Sequence, residues 1–179
     1  MRLATLGSVE RFDYPYARAG KKRPDPHARL VAAHRDALEA ARRNEEPAHV
    51  ILCGKSMGSR IGCHVSLEVP VSALVCFGYP LRGQSGALRD EVLRAMTTPI
   101  LFVQGTRDPL CPLAELDRVR AAMSAPSELF LVDSGDHSLV PQKTWLRRNA
   151  TTGDAVDAAI LAAIERFLAK AAPVRNNKA

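Results

Sequence analysis

Residues 49–58 read His-Val-Ile-Leu-Cys-Gly-Lys-Ser-Met-Gly, and the rest of the sequence is best interpreted outward from them. The first five residues form a short, largely apolar run, which is typical of a β-strand. A G-x-S-x-G motif follows at Gly54-Lys55-Ser56-Met57-Gly58, and apolar residues then recur at the helical spacing of Met57, Ile61 and Val65. The stretch therefore predicts a strand that turns sharply at Ser56 into a helix and exposes the serine hydroxyl above the sheet.

The motif fits a sharp strand-to-helix turn, and two other local structures have to be weighed against it. In a sharp strand-to-helix turn the two segments approach so closely that Gly54 and Gly58 are both expected to be required for space. A plain helix start with glycines in the turn would show the same five residues. A phosphate-binding loop, which Gly54-Lys55-Ser56 suggests, is excluded because it needs a glycine at position 49, where histidine stands.

Three further apolar runs have the same character, at 71–77, 100–103 and 129–132. Short runs that do not alternate are typical of strands buried on both faces of a parallel sheet, and residues 8–12 read as a weaker edge strand. Other amphipathic helices are predicted over 28–43, 88–96, 113–123 and 154–170. We therefore expect an α/β fold, a three-layer sandwich in which helices flank a mostly parallel sheet of about five strands.

Two polar side chains follow the last two predicted strands. They are expected at the carboxyl ends of the strands, the edge of a parallel sheet where active sites usually lie. Asp108 comes after the run 100–103, and His137 comes after the run 129–132. A serine hydroxyl needs a base, and the base needs an acid that orients it, in the chain order serine, acid, histidine. The order and the strand ends together favour Ser56, Asp108 and His137 as catalytic residues.

Each of these residues also has a simpler interpretation. Asp108 precedes Pro109 and would suit a turn or a helix cap, and His137 would suit a surface loop. Asp133 and Asp136 are alternative candidates for the acid. Because they share a loop with His137, they are expected to be less well oriented toward its imidazole than Asp108 is. The remaining histidines fit structural or solvated positions better: His27, His34, His49 and His64.

The composition limits the possible classes of function. The 179 residues are 46% hydrophobic and 25% charged, which suits one domain at 1–172 with a frayed tail at 173–179. The net charge of +6 comes from small basic groups such as Lys21-Lys22-Arg23. Because no long basic run or aromatic platform accompanies them, they predict solvated surface charge and no nucleic-acid partner.

Targeting and redox signals predict a soluble cytoplasmic protein without a membrane partner. No apolar run approaches the ~20 residues that span a bilayer, and the N-terminus does not read as a signal peptide. Free thiols in a reducing compartment, without zinc, are predicted from scattered cysteines that form no C-x-x-C pair: Cys53, Cys63, Cys76 and Cys111.

Several motifs in order resemble those of a known superfamily. They are Asp13-Tyr14-Pro15-Tyr16, Gly54-Lys55-Ser56-Met57-Gly58, Phe77-Gly78-Tyr79-Pro80-Leu81, Val-Gln-Gly-Thr-Arg-Asp-Pro at 103–109, and Gly135-Asp136-His137. The chain resembles the α/β-hydrolase superfamily, and within it small bacterial hydrolases related to dienelactone hydrolases and to the hydrolase-like domain of an animal NSL chromatin-complex subunit. The resemblance implies Ser56 as nucleophile, Asp108 as acid and His137 as base. It also implies the Met57 N–H as an oxyanion donor and no metal or organic cofactor.

One departure from the family pattern lies near the N-terminus. Members of the superfamily begin with a strand that ends in a His-Gly loop, which supplies the second oxyanion donor, and this sequence contains no His-Gly dipeptide. An upstream start, a rebuilt oxyanion hole and a weakly active protein are all compatible with this departure. The 80–98 connection, where related enzymes insert a lid, is short and predicts an open site.

Two functions are therefore predicted. The first is a serine hydrolase that acts on small esters or related acyl compounds through a Ser-His-Asp triad, with a small molecule as its partner. The second is a catalytically weak or inactive domain that serves as a scaffold or binding module, and the missing His-Gly loop motivates it.

Overall fold

The computed structural model describes residues 3–45, 47–83 and 85–173. Four parallel strands form one sheet in the order β1-β2-β3-β4, so strands that are consecutive in sequence are neighbours in space. The strands are β1 (Ile51–Lys55), β2 (Ala73–Phe77), β3 (Ile100–Gly105) and β4 (Ser127–Val132). The helices are α1 (Pro15–Arg18), α2 (His27–Glu45), α3 (Met57–Glu68), α4 (Glu91–Ala95), α5 (Leu113–Ala121), α6 (Lys143–Arg148) and α7 (Gly153–Ala171), and a short 3₁₀ helix spans Leu3–Thr5.

Helices cover both faces of the sheet, which explains why its strands are apolar on both sides. Leu52 and Phe102 belong to one cluster of buried side chains, to which α2, α3, α4 and α5 contribute. Val75 and Val103 belong to a second cluster, which α7 completes. Both central strands, β2 and β3, are buried along their whole length. The predicted α/β sandwich with a parallel sheet is confirmed.

Among the described residues the sheet has four strands, one fewer than the approximate number predicted, because the edge strand expected at 8–12 does not form. Residues 8–12 are irregular chain, in which Val9 is 47% exposed and Phe12 is 40% exposed. A strand needs a hydrogen-bonded neighbour, and within the described residues β1 pairs with β2 alone. Phe12 instead contacts the ring of Tyr14 edge to face, with 5.0 Å between ring centroids.

The helices follow the amphipathic pattern closely. Both long helices, α2 and α7, lie within two residues of the limits predicted at 28–43 and 154–170, whereas α4 is shorter than predicted. Across residues 3–45, 47–83 and 85–173, no helix combines the length and the apolar character needed to cross a bilayer. Apart from Pro173, the predicted tail at 173–179 lies outside the described residues.

Parallel pairing brings the carboxyl ends of all four strands to one edge of the sheet. The register aligns Lys55 with Phe77, Phe77 with Val103, and Gly105 with Val132. The segments that follow these strands carry Ser56, Asp108 and His137. The fold therefore assembles the three candidate residues at a common edge.

His34, in α2, is a buried histidine that the fold holds in its neutral form. Its Nδ1 lies 3.2 Å from the Tyr14 hydroxyl oxygen. Burial lowers the pKa of His34 from 6.5 to about 4. Because the unfolded chain binds this proton more readily, the contribution of His34 to stability is present above about pH 6.5 and is lost as the pH falls toward about 4.

We expect the free energy of unfolding to fall by about 2 kcal/mol between about pH 7.5 and about pH 5 through His34 alone. Urea denaturation at the two pH values measures this difference. The variant His34→Gln should lose that part of the pH dependence, whatever its stability at neutral pH. A slope of stability against pH that is the same in the variant and the parent would contradict the assignment.

Candidate active site

Ser56 lies in the turn between β1 and α3. Its backbone has φ 51° and ψ −119°, a strained conformation for a residue that carries a side chain. The Ser56 N–H donates to the Phe77 carbonyl at 2.9 Å, and the Ser59 hydroxyl donates to the Ser56 carbonyl at 2.6 Å. These hydrogen bonds tie the strained turn to β2 on one side and to α3 on the other.

The steric requirement for glycine in this turn holds at one of the two predicted positions. A Cβ on Gly54 would lie 2.5 Å from the carbonyl carbon of Gly58 and closer still to the amide nitrogen of Ser59. A Cβ on Gly58 would meet nothing within 4 Å. The prediction that Gly58 is needed for space is therefore wrong, because the close approach brings the backbone of α3 onto Gly54 while the Cα of Gly58 faces open space.

The three candidate side chains form a continuous chain of hydrogen bonds. The Ser56 Oγ lies 2.8 Å from His137 Nε2, and His137 Nδ1 lies 2.8 Å from Asp108 Oδ2. The Asp108 side chain is fully buried, whereas the His137 side chain is 27% exposed. The nucleophile and the base thus border solvent, and the acid lies behind them.

This geometry fixes which nitrogen of His137 carries the proton when the imidazole is neutral. The buried Asp108 carboxylate accepts from Nδ1–H, so Nε2 has its lone pair available for the Ser56 hydroxyl proton. A serine whose proton can pass to an oriented imidazole is able to attack an acyl carbonyl.

Gln104 is a buried side chain at this site that sequence reasoning missed. It is fully buried near the end of β3, and its Nε2 donates to Asp108 Oδ2 at 2.6 Å. Its Oε1 accepts the Tyr79 N–H at 3.0 Å, and Asp108 Oδ1 accepts the Leu110 N–H at 2.9 Å. The carboxylate is therefore held by two donors besides His137. The sequence shows only that a glutamine ends the apolar run before Asp108, which does not by itself indicate this role.

The variant Gln104→Leu is expected to lower kcat for p-nitrophenyl acetate by about 10- to 100-fold, since a hydrogen bond to a buried carboxylate is lost. The Nδ1 proton of His137 should also shift in the NMR spectrum, because it shares Asp108 Oδ2 with the glutamine. The matched control is Gln142→Leu, an exposed amide that lies 3.2 Å from the Ser134 hydroxyl and has no hydrogen bond to Asp108 within the described residues. Equal kcat values and an unmoved Nδ1 proton in Gln104→Leu would contradict a positioning role.

The loop that carries His137 packs against two glycines at the edge of the sheet. We call Gly78 and Gly105 the glycine platform. A Cβ on Gly78, whose φ is 57°, would lie 2.6 Å from the carbonyl oxygen of His137. A Cβ on Gly105 would lie 2.5 Å from the carbonyl oxygen of Gly135. Backbone of the histidine loop (residues 133–141) therefore occupies the space that side chains at these two positions would fill.

Polar contacts hold the histidine loop at both of its sides. The Arg107 N–H donates to the Gly135 carbonyl at 2.8 Å, and the Ser134 N–H donates to the Thr106 hydroxyl at 2.8 Å. Lys55, the second residue of the G-x-S-x-G motif, donates from Nζ to the Ser138 hydroxyl at 3.2 Å. The turn that carries the serine is thus linked directly to the loop that carries the histidine.

The two rival acids of the sequence analysis point elsewhere. Asp136 Oδ1 accepts the Ser138 N–H at 2.8 Å and the Val140 N–H at 3.1 Å, and these bonds, the Val140 one foremost, lower the pKa of Asp136. Asp133 is exposed and makes no hydrogen bond to His137. Asp136 shapes the loop, and Asp108 is the carboxylate that contacts the imidazole.

Met57, the predicted oxyanion donor, is the first residue of α3. The N–H groups of a first helical turn have no partner within the helix, and that of Met57 bonds to none of the described residues. It is therefore able to donate to an oxygen atom of a ligand bound beside Ser56. No group of three or more His, Cys, Asp or Glu side chains in the described parts of the chain could hold a metal ion.

A parallel sheet whose strand ends bring a serine in a strained turn together with a histidine and a buried aspartate is the arrangement of α/β hydrolases. Residues 3–168 match the family described as the alpha/beta hydrolase domain. The chain belongs to this family.

Solved structures of the same fold include several hydrolases. One is an alpha-beta serine hydrolase homologue from Coxiella burnetii, 22% identical with a TM-score of 0.56, where 66% of this chain covers 55% of that one. Another is Thermogutta terrifontis esterase 2 phosphorylated by paraoxon, 18% identical with a TM-score of 0.63, where 87% of this chain covers 68% of that one. A third is a dienelactone hydrolase from Anabaena variabilis, 17% identical with a TM-score of 0.62, where 87% of this chain covers 65% of that one.

At these identities the shared feature is the fold. The chain spans between 55% and 68% of the length of these three proteins. The predicted membership of the α/β-hydrolase superfamily is confirmed. The narrower relation to the NSL subunit domain and the lack of a second oxyanion loop stay predictions.

Proposed function

We propose that the chain is a serine hydrolase that cleaves small esters or related acyl compounds. The observation that carries the proposal is the hydrogen-bonded series in which His137 lies 2.8 Å from both Ser56 and Asp108. The strained backbone of Ser56 supports it, because strain of this kind is typical of functional positions.

In the proposed reaction the Ser56 oxygen attacks the acyl carbonyl carbon while its proton passes to His137 Nε2. Asp108 stabilises the resulting imidazolium through Nδ1, and the Met57 N–H donates to the oxygen on which negative charge develops. His137 then gives the proton to the leaving alcohol, and an acyl-enzyme forms. Water, activated by the same imidazole, attacks the acyl carbon and releases the acid.

The substrate class follows from the shape of the site. Within the described residues, the connection between β2 and β3 holds only α4 and an isolated bridge between Arg82 and Leu88, so no lid domain covers Ser56. An uncovered site suits small, water-accessible acyl groups.

A fluorophosphonate probe tests the proposal directly. It should label the wild-type chain at Ser56, label the control Ser66→Ala equally, and fail to label Ser56→Ala. Ser66 is a suitable control because its hydroxyl donates to the Cys63 carbonyl within α3 at 2.8 Å. A folded wild-type chain that takes no label would contradict the hydrolase and favour the scaffold function, and labelling that persists in Ser56→Ala would exclude Ser56 as the nucleophile.

We also propose that the protein works in the cytoplasm. All four cysteines are free thiols. Cys63 and Cys76 support a reducing compartment most clearly, because their sulfur atoms lie 4.0 Å apart without a disulfide.

A further inference from the structure

The histidine loop is attached to the rest of the protein mainly on the side of β3. The Ser134 N–H donates to the hydroxyl of Thr106, the residue directly after β3, at 2.8 Å. Asp108, which orients the imidazole, follows the same strand. Neither contact involves β1 or the turn that carries Ser56. The distance between base and nucleophile therefore depends on the bonds that join the loop to that turn.

Within the loop, residues 136–140 form a tight turn around His137. Asp136 Oδ1 accepts the Ser138 N–H at 2.8 Å and the Val140 N–H at 3.1 Å. The Asp136 carbonyl accepts the Leu139 N–H at 2.9 Å, and this bond helps to hold Leu139 in a left-handed conformation with φ 64°. Because His137 and Ser138 are neighbours in one closed turn, a contact that fixes Ser138 also fixes the base.

Two hydrogen bonds join this turn to the nucleophile segment in the described residues. One links His137 Nε2 and the Ser56 hydroxyl. The other runs from Lys55 Nζ to the Ser138 hydroxyl at 3.2 Å. Lys55 thus reaches from the residue before the nucleophile to the residue after the base. Its ammonium group forms no ion pair with any carboxylate that the structure describes, unlike Lys170, which pairs with Glu128 at 3.0 Å.

Only one of these two hydrogen bonds can persist through the proposed reaction. Once Ser56 is acylated, its side-chain oxygen belongs to an ester and has no proton to donate. His137 Nε2 is an acceptor at that stage, because the imidazole proton is on Nδ1 and faces Asp108. Two acceptors do not bond to each other. The hydrogen bond that remains in the acyl-enzyme is the one between Lys55 and Ser138.

We propose that Lys55 is a positioning residue for deacylation, which holds His137 beside the acyl-enzyme while water attacks. The inference rests on the proposed hydrolase function. In this step the water oxygen bonds to the acyl carbon, and a proton of the water passes to His137 Nε2. The bond between the acyl carbon and the Ser56 oxygen then breaks, and the imidazolium returns its proton to that oxygen. Lys55 transfers no proton and acts through Ser138.

Steady-state kinetics of Lys55→Met with p-nitrophenyl acetate test the proposal. Because p-nitrophenolate leaves readily, deacylation is expected to limit turnover, and slowing this step lowers kcat and KM together. Both constants should fall about tenfold, the effect of one lost hydrogen bond, while kcat/KM, which reports acylation, stays within about threefold of the wild type. At a substrate concentration near the wild-type KM, mass spectrometry should find Ser56 acetylated in a larger fraction of the variant.

Other variants separate positioning from a general structural role. Lys55→Arg can still donate to the Ser138 hydroxyl and should recover most of the lost kcat. Ser138→Ala removes the other partner and should match Lys55→Met, and the double variant should be no slower than either single variant. Lys143→Met makes the same substitution at an exposed lysine of α6 and should leave both constants unchanged. Additive losses in Lys55→Met and Ser138→Ala, or a fall in kcat/KM with KM constant, would overturn the proposal.

Hydrogen exchange examines the same contact without turnover. Ser56→Ala removes the hydrogen bond to His137, as acylation does. Adding Lys55→Met to this variant should speed exchange of the Ser138 and Val140 amides about tenfold, because the turn is then released from the nucleophile segment. Equal exchange rates would overturn the role of Lys55, whether or not the wild type hydrolyses esters. A wild type that cleaves p-nitrophenyl acetate, with kcat unchanged in Lys55→Met, would overturn that role and leave the hydrolase standing.

Discussion

Replacing His137 with alanine should lower kcat/KM for p-nitrophenyl acetate by about 10,000-fold or more. The imidazole is the only group within hydrogen-bond distance of the Ser56 hydroxyl in the described residues, at 2.8 Å, so its removal leaves the serine without a base. Steady-state assays of the purified variant, with circular dichroism to verify folding, provide the measurement. Activity that stays within about tenfold of the parent would show that another group takes the proton.

The acid of the site allows a matched comparison with the same chemistry. Asp108→Asn should lower kcat by about 1,000- to 10,000-fold, because the amide can donate to Nδ1 and so favour the unproductive imidazole tautomer. Asp133→Asn makes the same change at an exposed carboxylate that has no bond to His137. Its kcat should equal that of the parent. The reverse ranking of the two variants would move the role of acid from Asp108 to Asp133.

The largest effect on stability is expected from Gly54→Ala. The added Cβ would lie 2.5 Å from the Gly58 carbonyl carbon, and the atoms nearest to it belong to the backbone of Gly58 and Ser59. Neither β1 nor α3 can yield without breaking its packing, so the free energy of unfolding should fall by about 3 kcal/mol or more. Urea denaturation followed by circular dichroism measures the change. Hydrolysis of p-nitrophenyl acetate should fall as well, because Ser56 lies in this turn.

Gly58→Ala provides the control, since it adds the same methyl group four residues later. Position 58 lies in the first turn of α3, and a Cβ there meets nothing within 4 Å. Alanine is the better helix former, so stability should stay constant or rise by up to about 1 kcal/mol. Equal losses in the two variants would contradict the idea that close approach of the backbone is confined to Gly54.

Local sequence signals predicted most of the fold and the three central side chains. The apolar runs at 71–77 and 100–103 mark strands that are buried on both faces, and such strands leave an unmistakable pattern. Asp108 and His137 were predicted because each follows a strand, and parallel pairing brings strand ends together whatever the intervening sequence. The position of each residue just after a strand was sufficient to predict that both lie at the same edge of the sheet.

Features that depend on contacts between distant segments could not be predicted in this way. Residues 8–12 have the composition of a strand, but pairing requires a neighbour that the pattern cannot supply. Gln104 joins Asp108 to the Tyr79 N–H across two strands, and no local pattern marks a glutamine for that role. The difference between Gly54 and Gly58 likewise depends on which of them the other segment touches.

The glycine platform has a consequence for redirecting this protein toward new substrates by laboratory evolution. Contact between main-chain atoms sets the height of the imidazole above the sheet, so no rotamer change elsewhere can compensate for a bulkier residue beneath it. Randomised libraries can explore exposed loop positions such as 140, where the valine is 59% exposed, as long as codons 78 and 105 are held constant. A selection that scatters mutations over the whole gene should return both codons unchanged among its survivors.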